Sequence, residues 1–238
     1  MNKAVLLDFD DTLVYTNGLF EEAKALFFRF MEEEGFNAEN LAGTLNDFDI
    51  ANTKKAGYMA KECFPLALRQ TYAHFCRGKG IISEAQKAEY CEELGWRVFD
   101  SPMILVPGAE ELLRELHGEY DLYLITQGDR ETQARRVRES GLAPWFKEIY
   151  IGKVKTREFF QSVISAHDIE AGASWSVGNS LRFDVGPSLL CGLNAIHFLV
   201  PGWDFENAAV EGSYHTAETL TRCGEVIRKY SRSKENGG

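Results

Sequence analysis

Asp8 and Asp10, in Val-Leu-Leu-Asp-Phe-Asp-Asp-Thr-Leu-Val, stand two positions apart at the end of the apolar run Ala4 to Leu7. On an extended chain, positions i and i+2 point the same way, so two carboxylates emerge together. Like charges this close raise the pKa of one partner unless a cation lies between them. A carboxyl group poised to exchange a proton and a seat for a cation are both useful chemistry. The run itself fits a strand buried on both faces of a parallel sheet, and the edge where it ends is where ligands bind in open α/β sheets.

Three further stretches carry polar groups just past an apolar run. Thr126 ends Leu-Tyr-Leu-Ile and is followed by Gln127, Gly128 and Asp129. A hydroxyl with adjacent amides, entering a helix N-terminus, suits an anion. Lys155 precedes the apolar helical stripe of Arg-Glu-Phe-Phe, with Lys153 as its competitor, and its ammonium is a compact charge for a carboxylate or phosphate. Asn179 and Asp184 follow Trp-Ser-Val-Gly.

The elements that must position these groups are legible from periodicity. Residues 17–35 read as a helix through Leu19, Ala23, Leu26, Phe27 and Phe30, with Gly35 as its stop. Residues 36–52, with Gly43 and several Asn, read as a turn-rich link, and 53–77 as a helical region started or kinked at Pro65. Gly78-Lys79-Gly80 is a break, and Ser83-x-x-Gln86 resembles a capping box ahead of the stripe Ala88, Cys91, Leu94, Val98. From residue 103 the pattern changes to strands alternating with helices. The helices are expected from Ala109, from Arg130 after an Asp129 cap, over 156–167, over 182–191 and from Ala217 to Lys229. The strands are expected at Leu122–Ile125, Glu148–Ile151, Trp175–Val177 and Ala195–Val200. That alternation predicts an α/β fold, a parallel sheet wound on both sides. The expected domains are a sheet domain of residues 1–15 and 100–230, an inserted helical domain of 16–99, and a polar, disordered tail of 231–238.

Composition narrows the function. The chain has 238 residues, 45% hydrophobic and 26% charged, with a net charge of −10. It buries a core, and its acidity disfavours nucleic acid and anionic membranes as partners. An acidic protein that binds phosphate must do so with local amides, a metal or a few cations. The five cysteines are odd in number and widely spaced, as free thiols in a reducing cytoplasm would be. The five histidines show no zinc spacing. The run 4–7 is too short for a signal peptide, and no stretch approaches the ~20 apolar residues that span a bilayer.

Asp8-Phe9-Asp10-Asp11-Thr12 resembles the first motif of the haloacid dehalogenase-like (HAD) hydrolases, Asp-x-Asp-x-Thr after an apolar strand. Thr126, Lys155 and the Gly178-to-Asp184 stretch resemble the second, third and fourth motifs, in order, with Thr156 where a Pro is usual and Asn179 where an Asp is common. The resemblance implies a Rossmann-like core with an α-helical cap inserted after the first motif. It implies Asp8 as nucleophile, Asp10 as general acid/base, and Thr126, Gln127, Gly128 and Lys155 around the phosphoryl group. It further implies Mg²⁺ held by Asp8, Asp10 and Asp184, with Asn179 beside them. Asn offers a neutral oxygen where Asp offers an anion, so metal affinity should weaken while repulsion of a phosphate dianion falls. The implied activity is Mg²⁺-dependent hydrolysis of a small phosphorylated metabolite through an aspartyl phosphate, by a cytoplasmic monomer or homodimer. The alternatives are a phosphate-binding or phospho-acceptor protein without efficient turnover, which Asn179 would permit, and a haloacid dehalogenase, against which Asp10 and Asp184 argue.

Overall fold

The computed structural model of the chain describes residues 2–37 and 39–235, with side chains as far as residue 230. The chain forms two compact units, with boundaries between Tyr15 and Thr16 and between Pro102 and Met103.

The first unit is built on β1 (Ala4–Leu7), the two-residue β2 (Val14–Tyr15) and β3 (Ile104–Leu105), β4 (Asp121–Gln127), β5 (Glu148–Gly152), β6 (Trp175–Gly178), β7 (Asn194–Phe198) and β8 (His215–Ala217). Six of these form one parallel sheet in the order β5-β4-β1-β6-β7-β8. All four residues of β1 are buried, and they divide by parity. Val5 and Leu7 pack with Leu112, Leu113 and Leu116 of α5 (Ala109–Leu116) and with Leu220, Cys223 and Ile227 of α9 (Leu220–Glu235). Ala4 and Leu6 pack on the other face with Phe160, Val163 and Ile164 of α7 (Arg157–Ala166). The short helices α6 (Arg130–Glu139) and α8 (Gly186–Leu189) complete the unit. The sheet grows outward from β1 in both directions, so β1 and β6 flank the point where strand order reverses, where α/β sheets bind ligands. The fold is the expected doubly wound α/β sheet.

The second unit is helical: α1 (Asn17–Glu33), α2 (Leu41–Ala56), α3 (Cys63–Gly78) and α4 (Ala85–Asp100). Phe27, Met31, Leu45, Phe64, Leu68, Tyr72, Cys91 and Leu94 form its core. A Cβ at Gly95 would lie 2.6 Å from Pro65 Cα, so glycine there lets α4 approach α3 closely.

Several local expectations are corrected. The turn-rich link expected at 36–52 is largely α2: Leu41 and Leu45 are buried one turn apart, and that packing outweighs the poor helix propensity of Gly43 and the Asn residues. Helix α4 begins after Glu84 rather than Ser83, and no side-chain cap is formed there. The last helix starts at Leu220, because His215–Ala217 adds a sixth strand to the sheet. The same helix continues to Glu235 through the expected tail, of which 236–238 lie outside the described residues. All five cysteines are free thiols, four of them buried. Among the described residues no helix is long and apolar enough to cross a membrane.

Candidate active site

The site residues expected from the sequence lie in the sheet unit, at or just past the carboxyl ends of β1, β4, β5 and β6. β1 delivers Asp8, whose backbone N–H donates to Val177 O on β6 at 2.9 Å. A tight turn follows, with Leu13 and Val14 both donating to Phe9 O. Asp11 takes a left-handed backbone there (φ 55°), a conformation that aspartate tolerates better than most side chains. The turn brings Thr12 back over the strand end, where its hydroxyl donates to Asp8 Oδ2 at 2.8 Å.

The other Asp8 oxygen meets Lys155. The ammonium donates to Asp8 Oδ1 at 2.6 Å and also pairs with Asp184 Oδ1. Lys155 is 3% exposed and Asp184 2%, so this is a buried triad. Burial pushes the Asp8 carboxyl well above its usual range; Lys155 opposes the shift and the Asp184 charge adds to it. Burial also works against the Lys155 charge, but Asp184 and Asp8 outweigh it and hold the ammonium above its ordinary value. Of the two candidate lysines, Lys155 is thus in direct contact with Asp8.

Thr126 ends the buried part of β4, and its Oγ1 accepts from Gln133 Nε2 at 2.6 Å. The same Nε2 lies 2.6 Å from Asp10 Oδ2, and Arg136 pairs with Asp10 Oδ1. Gln133 and Arg136 are three apart on α6 and so share a helix face. Asp129 caps that helix, accepting from Thr132 N at 2.9 Å as the sequence predicts. Gln127 and Gly128 also make contacts that shape the neighbouring loop. The Gln127 carboxamide oxygen accepts from Lys155 N at 3.0 Å, and the Gly128 N–H donates to Gly152 O at 3.0 Å. Both fasten the loop that carries Lys155.

The fourth stretch is a tight π turn, Leu181–Val185, after β6. Ser180 N donates to Asp184 Oδ2 at 3.0 Å, which aims the carboxylate back at Lys155. Asn179 Nδ2 donates to Glu206 Oε2 at 3.2 Å, and Asn179 O faces His197 Nε2 at 2.8 Å. Burial pushes the Glu206 carboxyl up to about 7, helped by Asp184, opposed by Lys155, and raised further by Asp11 and Asp10.

Sequence reasoning missed Thr12, Gln133, Arg136 and Glu206. Thr12 had a signal in its place within Asp-x-Asp-x-Thr. Gln133 and Arg136 sit on a highly charged helix that reads as solvated, and Glu206 sits in an irregular segment with no periodicity.

Among the described residues no group of three or more His, Cys, Asp or Glu side chains forms a ready cage for a metal. The chemistry of the donors nonetheless fits a hard divalent cation. Asp8, Asp184, Asp10, Asp11 and Glu206 all act electrostatically on this one volume, with Lys155 and Arg136 beside them. Carboxyl groups outnumber the cations, and oxygen-only donor sets of this kind suit Mg²⁺.

A family model of the haloacid dehalogenase-like hydrolases matches residues 2–185. The chain belongs to that family and is a hydrolase. Its relatives include a Bacillus subtilis (strain 168) protein designated HAD-hydrolase YfnB, 25% identical over 213 residues, which are 81% of this chain and 82% of YfnB. The N-acylneuraminate-9-phosphatase of Mus musculus is 26% identical over 206 residues, 81% of this chain and 80% of that protein. Among solved structures, a haloacid dehalogenase-like family hydrolase from Xanthomonas campestris superposes with a TM-score of 0.80 at 21% identity, covering 100% of this chain and 95% of the other. YfnB bound to magnesium gives 0.63 at 21% identity, covering 95% and 98%. The L-2-haloacid dehalogenase of Xanthobacter autotrophicus gives 0.62 at 14% identity, covering 96% and 99%. These structural likenesses show a shared fold.

Proposed function

We propose that the chain is a Mg²⁺-dependent phosphomonoester hydrolase that cleaves a small phosphorylated metabolite through an aspartyl phosphate on Asp8. The observation that carries this reading is the Lys155 ammonium shared between Asp8 and Asp184, beside a second carboxylate, Asp10, tied through Gln133 to Thr126.

Asp8 Oδ attacks phosphorus in line, and the bond to the ester oxygen breaks as Asp10 gives that oxygen its proton. Asp10 then takes a proton from water, whose oxygen attacks the same phosphorus and returns Asp8 as a carboxylate with release of phosphate. To carry that proton, Asp10 must loosen its pairing with Arg136 when substrate binds. Thr126 Oγ1 accepts from Gln133, which leaves its O–H hydrogen to donate to a phosphoryl oxygen. Lys155 neutralises charge on the nucleophile and the transferred group. Asp8, the Asp10 carbonyl and Asp184 would hold Mg²⁺, with Asn179 beside them. The cation would screen the anionic nucleophile from the anionic substrate.

Relatives named as phosphatases support the reading, and the magnesium-bound YfnB structure supports the cofactor. A dehalogenase attacks carbon and needs no second acid, so Asp10 and Asp184 favour phosphoryl transfer. The helical unit is proposed to act as the cap that selects substrate, and the free thiols fit a cytoplasmic protein. The test is release of inorganic phosphate from a metabolite panel with and without Mg²⁺, run beside halide release from 2-haloacids. Metal-dependent phosphate release is expected; halide release alone, or no turnover of any panel member, would overturn the reading.

A further inference from the structure

Glu206 lies outside the four motif stretches, in the short turn Asp204–Glu206 that follows β7. Its position is nevertheless fixed from several sides. Ser180 Oγ donates to the Glu206 carbonyl at 3.1 Å, and Asn179 Nδ2 donates to its carboxylate at 3.2 Å. The next residue is held too, by Arg182 Nη2 on Asn207 O at 3.4 Å. The Arg182 guanidinium also lies over the Phe205 ring, 4.6 Å from its centroid, and Trp203 packs on that ring at 4.8 Å. A carboxylate anchored through its own backbone and both flanking residues is a placed group.

The contact with Asn179 has a consequence for both residues. Asn179 Nδ2 is the atom that faces the Glu206 carboxyl group and donates to it, so the amide oxygen is turned away. An aspartate at 179 would stand about 3 Å from Glu206 with like charge, so one of the two would have to hold a proton to keep this contact. Asn179 and Glu206 thus form a matched pair in which the donor is neutral and the charge sits on the partner.

We propose that Glu206 supplies the divalent-cation site with the negative charge that position 179 lacks, and sets the Asn179 amide with its oxygen available to that site. Glu206 is a positioning residue here, acting through Asn179. The inference rests on the Mg²⁺-dependent reading above.

The test is calorimetric titration of Mg²⁺ alone into metal-stripped protein, for wild type, Glu206→Gln, Asn179→Asp and the double variant, with thermal midpoints taken without metal. Glu206→Gln should weaken Mg²⁺ binding about tenfold. Asn179→Asp should lower the metal-free midpoint, because it places like charges together. The double variant, which moves the charge from 206 to 179, should bind Mg²⁺ within about threefold of wild type and recover the lost midpoint. Mg²⁺ binding by Glu206→Gln equal to wild type would overturn the inference alone. So would a double variant no better than Glu206→Gln, or failure of both to fold. A wild type that binds no Mg²⁺ would overturn the inference together with the metal-dependent function beneath it.

Discussion

Lys155 Nζ lies 2.6 Å from Asp8 Oδ1, although the two residues stand 147 positions apart in the chain. The same ammonium pairs with Asp184, so one buried cation faces two buried carboxylates. Removing one partner of a buried pair leaves charge without compensation and costs about 3–5 kcal/mol. Lys155→Met should therefore lower folding stability by about that amount in the metal-free protein, as read by urea unfolding. Mg²⁺ should restore part of the loss, because it returns positive charge to the same oxygens. Phosphatase turnover should fall at least a thousandfold whether or not stability is restored. Unaltered stability without metal would mean that the triad is not the charge balance of the site.

Asp8→Asn separates chemistry from folding. Turnover should vanish, since an amide cannot form the acyl phosphate. The stability effect depends on pH, and its sign follows from the raised Asp8 carboxyl. The folded protein holds this proton above the pH at which the unfolded chain releases it. The associated stability is present at low pH and is lost as pH rises through the folded value. Without metal, Asp8→Asn should thus match wild type near pH 4 and be the more stable protein near pH 8. Chemical denaturation at the two pH values checks this; equal differences at both would place the Asp8 titration in its ordinary range.

The helical unit offers a second titration. Asp49 is pushed up to about 6 by burial, with Lys24 pulling the other way. The sign is the same: its stabilising contribution is present below the unfolded value of 3.8 and is gone once pH passes about 6. Asp49→Asn has no such proton, so its stability relative to wild type should rise between pH 4 and pH 7 by about 2–3 kcal/mol, at roughly 1.4 kcal/mol per pKa unit. Urea unfolding across that interval measures it directly, and a flat difference would count against the raised Asp49 carboxyl.

Strand ends were readable because a buried strand leaves a short apolar run that stops at a polar residue. Asp8, Thr126, Lys155 and Asp184 each follow such a stop or its loop, and the structure gathers Asp8, Lys155 and Asp184 into direct contact. Residues 41–52 were not readable as helix, because what decides them is burial of Leu41 and Leu45 in a core assembled from the other three helices. His215–Ala217 is too short to show period-two alternation, and it is a strand only because β7 presents an edge to it. Arg136 looks like surface charge in sequence and is 4% exposed in the fold, paired with Asp10 and lying 5.7 Å over the Phe9 ring. Contacts of this kind join side chains whose separation in sequence carries no period, so no local pattern reports them.

Gly178 shows how closely the backbone of β6 packs on the site. A Cβ built there would lie 2.7 Å from Asp184 Cβ and closer still to its carboxyl group, nearer than side-chain carbons are found. The obstruction is the carboxylate that Ser180 N and Lys155 hold in place, so it cannot move without giving up one of those partners. Overpacking of a buried site costs roughly 1–3 kcal/mol. Gly178→Ala should therefore cost stability in that range and weaken Mg²⁺ binding, because the group displaced is one of the proposed ligands. Asp184→Asn should weaken binding by itself, and adding Gly178→Ala to it should cost much less than in the wild-type background, since both changes act through the same carboxylate. Additive losses in Mg²⁺ affinity across that double-mutant cycle would show that Gly178 affects the site by some path other than Asp184.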